Sequence, residues 1–391
     1  MHPDLVPQPS DDTLSKVSQA DSVSYARKLV YFVVNVYMLA IRNWIAHIAV
    51  PFSKYYNWTH LASDGKRSNH GVSIERSVVY GPLRGEELDI LSPTEEYASG
   101  SMPILYVHGG GFVCVHRGVM NHSVTPLVRA GFTVYSMDYP LAPEHKYPVP
   151  VVSILRALHF LKATYGVTSV KIVADSAGGC LAAKAASVIH NPQDSWHPLL
   201  KAAVAELEFP TIDQIALLYT ICDIDSWKLS ESLSTYGLVQ NAILSYCMHQ
   251  FRSAASDKIT LIENVDKVLS FPPTFLLCGD ADPLRHSHAV LASHLSTIDV
   301  PVTNLVMTGF HGFHGLPAPF SLGLWRSTVF PANVELIKWL TNNDFSRVPA
   351  LPPARLKGEH DFSLLVVLGI LHAVVAYTVS VVLANIFCIP K

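Results

Sequence analysis

Four short segments hold side chains whose types and spacing fit one kind of chemistry, acyl transfer to a serine. His108-Gly109-Gly110-Gly111-Phe112 places three glycines in a row. Such backbone can aim N–H groups into a cavity, as an oxyanion hole requires, where one donor is worth about 10²–10³ in rate. Ala174-Asp175-Ser176-Ala177-Gly178-Gly179 has the small neighbours that a sharp strand-to-helix turn demands around an exposed nucleophile. The first of those small positions is Ala174 where a glycine is usual. Ser176 is the candidate nucleophile, and the backbone N–H of Ala177 would join those of Gly110 and Gly111 around a developing oxyanion. Gly279-Asp280-Ala281-Asp282-Pro283-Leu284 offers two carboxylates, Asp280 and Asp282, either of which could orient an imidazole. Gly309-Phe310-His311-Gly312-Phe313-His314-Gly315 offers two imidazoles, His311 and His314, as the base that takes the serine proton. Each segment also has a plainer use, as a flexible turn, a helix cap or an ordinary loop histidine. His311 and His314 could pair on a metal, but no third ligand is evident, so neither metal nor cofactor is expected.

These groups need rigid elements to hold them. Six short apolar runs read as strands: Pro103–Val107, Phe132–Met137, Val170–Ala174, Ala202–Leu207, Thr274–Cys278 and Val302–Met307. Each is apolar on both faces, as central strands of a parallel sheet are. Helix-like stretches lie between and after them at about 119–130, 150–164, 178–190, 286–297 and 332–341. The alternation predicts an α/β layered fold with a mostly parallel sheet, and ligands in such folds bind at the carboxyl ends of strands. All four chemical segments follow such runs. Residues 75–341 are the expected catalytic domain.

Taken together, HGGGF (108–112), DYPLAPEHKYP (138–148), ADSAGG (174–179), GDADPL (279–284) and HGF (311–313) resemble the hormone-sensitive-lipase-like branch of the α/β-hydrolase superfamily. The resemblance covers roughly residues 78–341. It implies an α/β-hydrolase fold and ester hydrolysis through an acyl-enzyme. It further implies Ser176 as nucleophile, His311 as base and Asp282 as the triad acid, with Gly110, Gly111 and Ala177 as the oxyanion hole. His314 falls outside the family pattern. Two departures stand out: Ala174 for the first glycine of GDSAGG, a mild steric change, and Pro140 where the family often has an arginine, which removes an ion partner. Segment 203–255 matches poorly, and its Tyr219, Trp227 and Tyr236 read as an apolar pocket wall. In layout the chain resembles membrane esterases of the arylacetamide deacetylase and steryl acetyl hydrolase type. That implies a small-molecule substrate, an apolar lipid, sterol or short-acyl ester. Amide hydrolysis or deacetylation by the same triad is an alternative. A non-catalytic receptor on the fold is another: plant gibberellin receptors resemble this family but lack the His, whereas all three triad types are present here in order.

Composition bounds the rest. Charged residues make up 15% of the 391, against roughly 25% in an average soluble protein. Hydrophobic residues reach 49%, which excludes a disordered chain. A net charge of −3 without a basic stripe leaves nucleic-acid binding no electrostatic footprint. Six cysteines without CxxC pairing argue against a disulfide framework or zinc ribbon. Much of the apolar surplus lies near the C-terminus, where Phe362 to Pro390 holds no charged residue. About 20 apolar residues cross a bilayer as a helix, so 362–391 is the expected transmembrane anchor. Residues 342–361, with Pro349, Pro352, Pro353 and Gly358, read as a linker, and 1–24 as a polar, disordered start. Residues 25–74 read as a cap or membrane-interface helical segment, because Leu29–Ile41 is too short to span and Arg42 follows it. Arg347, Arg355 and Lys357 before the tail place the body on the cytosolic side, on the endoplasmic reticulum or a similar membrane. Asn57 and Asn121 match the glycosylation acceptor pattern.

Overall fold

In this computed structural model, the described residues are 32–40, 42–43, 71–94, 103–192, 196–223, 235–315 and 324–342. The expected linker beyond Asn342, the anchor at 362–391, the polar start at 1–24, Asn57 and Trp227 lie outside them. So does the side chain of Tyr236. Among the described residues no helix is long and apolar enough to cross a membrane.

Among the described residues, eight strands form one sheet: β1 (Val72–Val79), β2 (Glu87–Pro93), β3 (Ile104–Val107), β4 (Val134–Met137), β5 (Ser169–Asp175), β6 (Thr211–Leu218), β7 (Thr274–Gly279) and β8 (Val302–Met307). Their spatial order is β1-β2-β4-β3-β5-β6-β7-β8. β2 runs antiparallel to both β1 and β4, and every pairing from β4 through β8 is parallel. The helices are α1 (residues 32–40), α2 (Arg117–Arg129), α3 (Val149–Tyr165), α4 (Ser176–His190), α5 (Pro198–Glu206), α6 (Thr235–Phe251), α7 (Arg285–Thr297) and α8 (Phe330–Leu340).

The central strands bury both faces, and the period of two sorts their side chains into two cores. Leu105 and Val107 of β3, Ile172 and Ala174 of β5, and Ile215 and Leu217 of β6 pack with α3 and α4. Ile104, Tyr106, Val173, Ala216 and Leu218 face the other way, with α2 and α8. This explains why the runs read as unbroken apolar stretches. β8 departs from that expectation. It lies at the sheet edge, and residues such as Thr303, Asn304 and Val306 are exposed.

Two corrections follow. Ala202–Leu207 is not a strand but lies within α5 and its cap. Pro198 suits the first turn of a helix, and His197 caps it by accepting from Leu199 N at 3.2 Å. The sixth strand is instead Thr211–Leu218, where Asp213 and Gln214 break the apolar run. Both are met by Lys171 of β5, whose Nζ lies 2.7 Å from Asp213 Oδ2 and also hydrogen-bonds Gln214. The sheet also starts earlier than the expected boundary at 75, with β1 from Val72. Its burial alternates, but Arg76 takes the more buried side between Ile74 and Val78, next to a bulge, so the apolar alternation is not visible in the sequence.

Candidate active site

Ser176 stands at the turn from β5 into α4, which begins at Ser176 itself, two residues before the expected start. Its φ is +48°, the strained geometry that pushes a side chain out of such a turn. The small neighbours are steric necessities. A Cβ at Gly178 would come within 2.3 Å of His108 O, and one at Gly179 within 2.0 Å of Thr220 Oγ1. Ala174 is fully buried in the core, so its methyl is accommodated.

Three side chains from three strand ends meet here. Ser176 Oγ lies 3.0 Å from His311 Nε2, and His311 Nδ1 lies 3.0 Å from Asp282 Oδ2. Asp282 is buried, and its other oxygen accepts from Leu284 N at 2.8 Å. With the Nδ1 proton given to Asp282, Nε2 is free to accept from the serine hydroxyl. The two rival candidates do other work. Asp280 Oδ1 accepts from Gly309 N at 3.0 Å, which fastens the loop that carries His311. His314 turns into the body, 2.7 Å from Asn333 Oδ1, and burial lowers its pKa to about 4.

The glycine loop lies against the serine turn. Gly110 and Gly111 have φ of +105° and +61°, which a side chain would oppose. A Cβ at Gly110 would also come within 2.2 Å of Cys114 O. Asp175, next to Ser176, pins this loop: its Oδ1 accepts from Gly109 N at 3.0 Å and from the Tyr106 hydroxyl at 2.7 Å. Burial raises its pKa against these hydrogen bonds. Gly110, Gly111, Ser176 and His311 all line one cavity of about 410 Å³. Ala177 is fully buried in the first turn of α4.

The loop is also braced from behind. Tyr139 donates to His108 O at 2.9 Å, and its ring stacks on that of His108. Asp138 lies 3.2 Å from His108 Nε2, 3.0 Å from His116 Nε2, and pairs with Arg117. Burial would raise the Asp138 carboxyl, but His116 and Arg117 hold it well below the usual carboxylate range. The permanent cation beside Asp138 is Arg117, a residue whose type and spacing carry no mark of this role.

The cavity has mostly apolar walls. Tyr219 follows β6; Ile243, Leu244 and Cys247 come from α6; Tyr37 and Met38 come from α1. Segment 203–255 does contribute to the pocket, and α1 roofs it. Asn121 is a further correction. It is buried, and its Nδ2 donates to Asp89 Oδ2 at 3.0 Å, so the folded chain offers no acceptor for a glycan there.

Comparison with known proteins agrees with this architecture. A family model for the alpha/beta hydrolase fold matches residues 104–315. Lipase 2 of Moraxella sp. (strain TA144) is 26% identical over 268 residues, 61% of this chain and 60% of that protein. Arylacetamide deacetylase-like 3 of Homo sapiens is 38% identical over 89 residues, 20% of this chain and 21% of that protein. The chain spans 60% to 67% of the length of the first curated relatives that it matches. A crystal structure of Pyrobaculum calidifontis esterase superposes with a TM-score of 0.57 at 22% identity, covering 76% of this chain and 92% of that one, and so shares the fold. With the motifs of the hormone-sensitive-lipase-like branch in place, the chain belongs to the alpha/beta hydrolase fold family.

Proposed function

We propose that this chain is a serine carboxylic-ester hydrolase that acts on apolar esters through an acyl-enzyme. The observation that carries the reading is the continuous path Ser176 Oγ to His311 Nε2 to Asp282, with both contacts at 3.0 Å. His311 takes the Ser176 proton as Oγ attacks the ester carbonyl. The oxyanion of the tetrahedral intermediate is met by the backbone N–H groups of Gly110, Gly111 and Ala177. His311 then returns the proton to the leaving alcohol. Water repeats the sequence on the acyl-enzyme and releases the acid. Asp282 holds the imidazole tautomer and stabilises the imidazolium. The positive end of α4, aimed at the turn, adds to the same field.

The apolar walls select an uncharged substrate, and the names of lipase and esterase relatives support an ester. Amide hydrolysis is the second reading. The same triad serves it, and the name of the deacetylase-like relative favours it. We further propose that the body works at a membrane on its cytosolic side, with Phe362–Pro390 as the anchor; its uncharged length is what supports this.

Replacing Ser176 by Ala removes the nucleophile and leaves the fold. Ester hydrolysis, read with p-nitrophenyl butyrate, is expected to fall by on the order of 10⁶-fold. An active Ser176→Ala protein would overturn the assignment.

A further inference from the structure

Tyr219 stands one residue beyond β6 in an unfavourable backbone geometry. Its φ is +38°, a left-handed conformation that bulky aromatic residues avoid, and its N–H donates to Leu277 O at 2.6 Å. Such strain persists where the surroundings over-determine it, and it clusters at functional sites. The surroundings here are the loop that carries the base. The Tyr219 ring is 2% exposed and meets the His311 ring at 76°, with centroids 5.4 Å apart. That is an edge-to-face arrangement within the favourable range. At the far end of the same loop, the phenol hydrogen-bonds the backbone of Gly315, and a Cβ at Gly315 would come within 2.9 Å of its oxygen. Phe313 packs on the ring from between these ends, at 6.3 Å.

The next two residues continue the pattern. Thr220 N donates to His288 Nε2 at 2.9 Å, on the helix α7 that follows Asp282. Ile221 N reaches Ser176 O at 3.4 Å. Three consecutive residues thus tie together the supports of the acid, the base and the nucleophile. Asp282 holds His311 at Nδ1, Ser176 meets it at Nε2, and the Tyr219 ring packs against the same imidazole. This edge-to-face contact limits how far the imidazole can turn out of the line between Asp282 and Ser176.

We infer that Tyr219 is a positioning residue, whose ring fixes the imidazole plane of His311 so that Nε2 faces Ser176 Oγ. The inference rests on the ester-hydrolase reading above, and part of its test needs no substrate. Tyr219→Leu removes the aromatic surface and keeps the site apolar. It is expected to lower kcat by about 100-fold, as an ångström-scale misplacement of a catalytic group does, with KM changed less than about threefold. Tyr219→Phe keeps the ring and should retain at least about a third of kcat. In proton NMR, the far-downfield signal of the His311 Nδ1–H bound to Asp282 should broaden or shift in Tyr219→Leu and stay in place in Tyr219→Phe. If Tyr219→Leu does not fold, Tyr219→Asn serves, since Asn tolerates the left-handed backbone.

A folded Tyr219→Leu or Tyr219→Asn protein with wild-type kcat and an unmoved signal would overturn the proposal. So would a Tyr219→Phe protein as impaired as Tyr219→Leu, because the hydroxyl and not the ring would then be at work. A wild-type protein without esterase activity, but with a downfield signal that follows this pattern, would undo the ester reading and leave the positioning role standing.

Discussion

Asp280 and Asp282 lie two positions apart after β7, and each is a carboxylate at a strand end, so residue type alone could not separate them. Their backbones separate them. Asp282 enters the buried turn before α7 and points at His311, whereas Asp280 reaches sideways to Gly309 N. Ser176 and His311 were legible because steric demand marks their neighbours: the glycines around them either have positive φ or sit where a Cβ would strike neighbouring backbone or side-chain atoms. Arg117 and Tyr219 carried no such mark. Arg117 serves Asp138 from a helix that begins far along the chain from it, and Tyr219 was legible only as an apolar wall. The account predicts that Asp282→Asn lowers kcat by roughly 10⁴-fold by favouring the wrong imidazole tautomer. Asp280→Asn keeps an acceptor for Gly309 and should stay within about tenfold of wild type. Kinetics on p-nitrophenyl butyrate decide it, and equal losses in the two variants would contradict the assignment.

At the scale of elements, strands buried on both faces were readable, because each is a short apolar block closed by a turn. Strands stayed hidden where polar residues are matched across a ladder, as Lys171 matches Asp213, and where Arg76 takes the more buried side of β1. Helix α1 is the element whose role was least determined beforehand, between a cap and a membrane-interface segment. Val34 and Met38, one turn apart, are buried, Tyr37 and Met38 line the cavity, and Phe32 and Leu39 are exposed on the opposite side. A roof of this kind sets how much substrate fits. Met38→Trp should therefore shift preference toward shorter acyl chains, lowering kcat/KM for long p-nitrophenyl esters by about tenfold or more relative to the butyrate. Phe32→Ala faces away and should leave the ratio unchanged. A chain-length profile unmoved by Met38→Trp would contradict a roof over the acyl site.

For the molecule as a whole, an eight-stranded sheet between two helical layers brings four loops from distant parts of the sequence to one edge of the parallel strands. That convergence is a property of parallel topology, which explains why motifs spread from His108 to Gly315 could be read as one site before any distance was known. Periodicity within each run cannot supply the contacts between layers, and so the brace behind the glycine loop was invisible. The low charge content is partly explained by these two buried layers and partly by the uncharged stretch beyond the described residues. The proposed anchor makes a test at this scale. The full chain should stay in the membrane pellet after alkaline carbonate extraction. A variant ending at residue 361 should be released and still hydrolyse the butyrate ester. A full chain found in the supernatant, or a shortened one that stays in the pellet, would contradict anchoring by that segment.

The most direct test of the central claim is labelling of the folded protein with a fluorophosphonate, followed by mass spectrometry of its peptides. The account predicts one phosphonyl adduct, carried by Ser176, formed in the wild type and missing from Ser176→Ala. A folded wild-type protein that takes up no adduct, or that carries it on another residue, would contradict it.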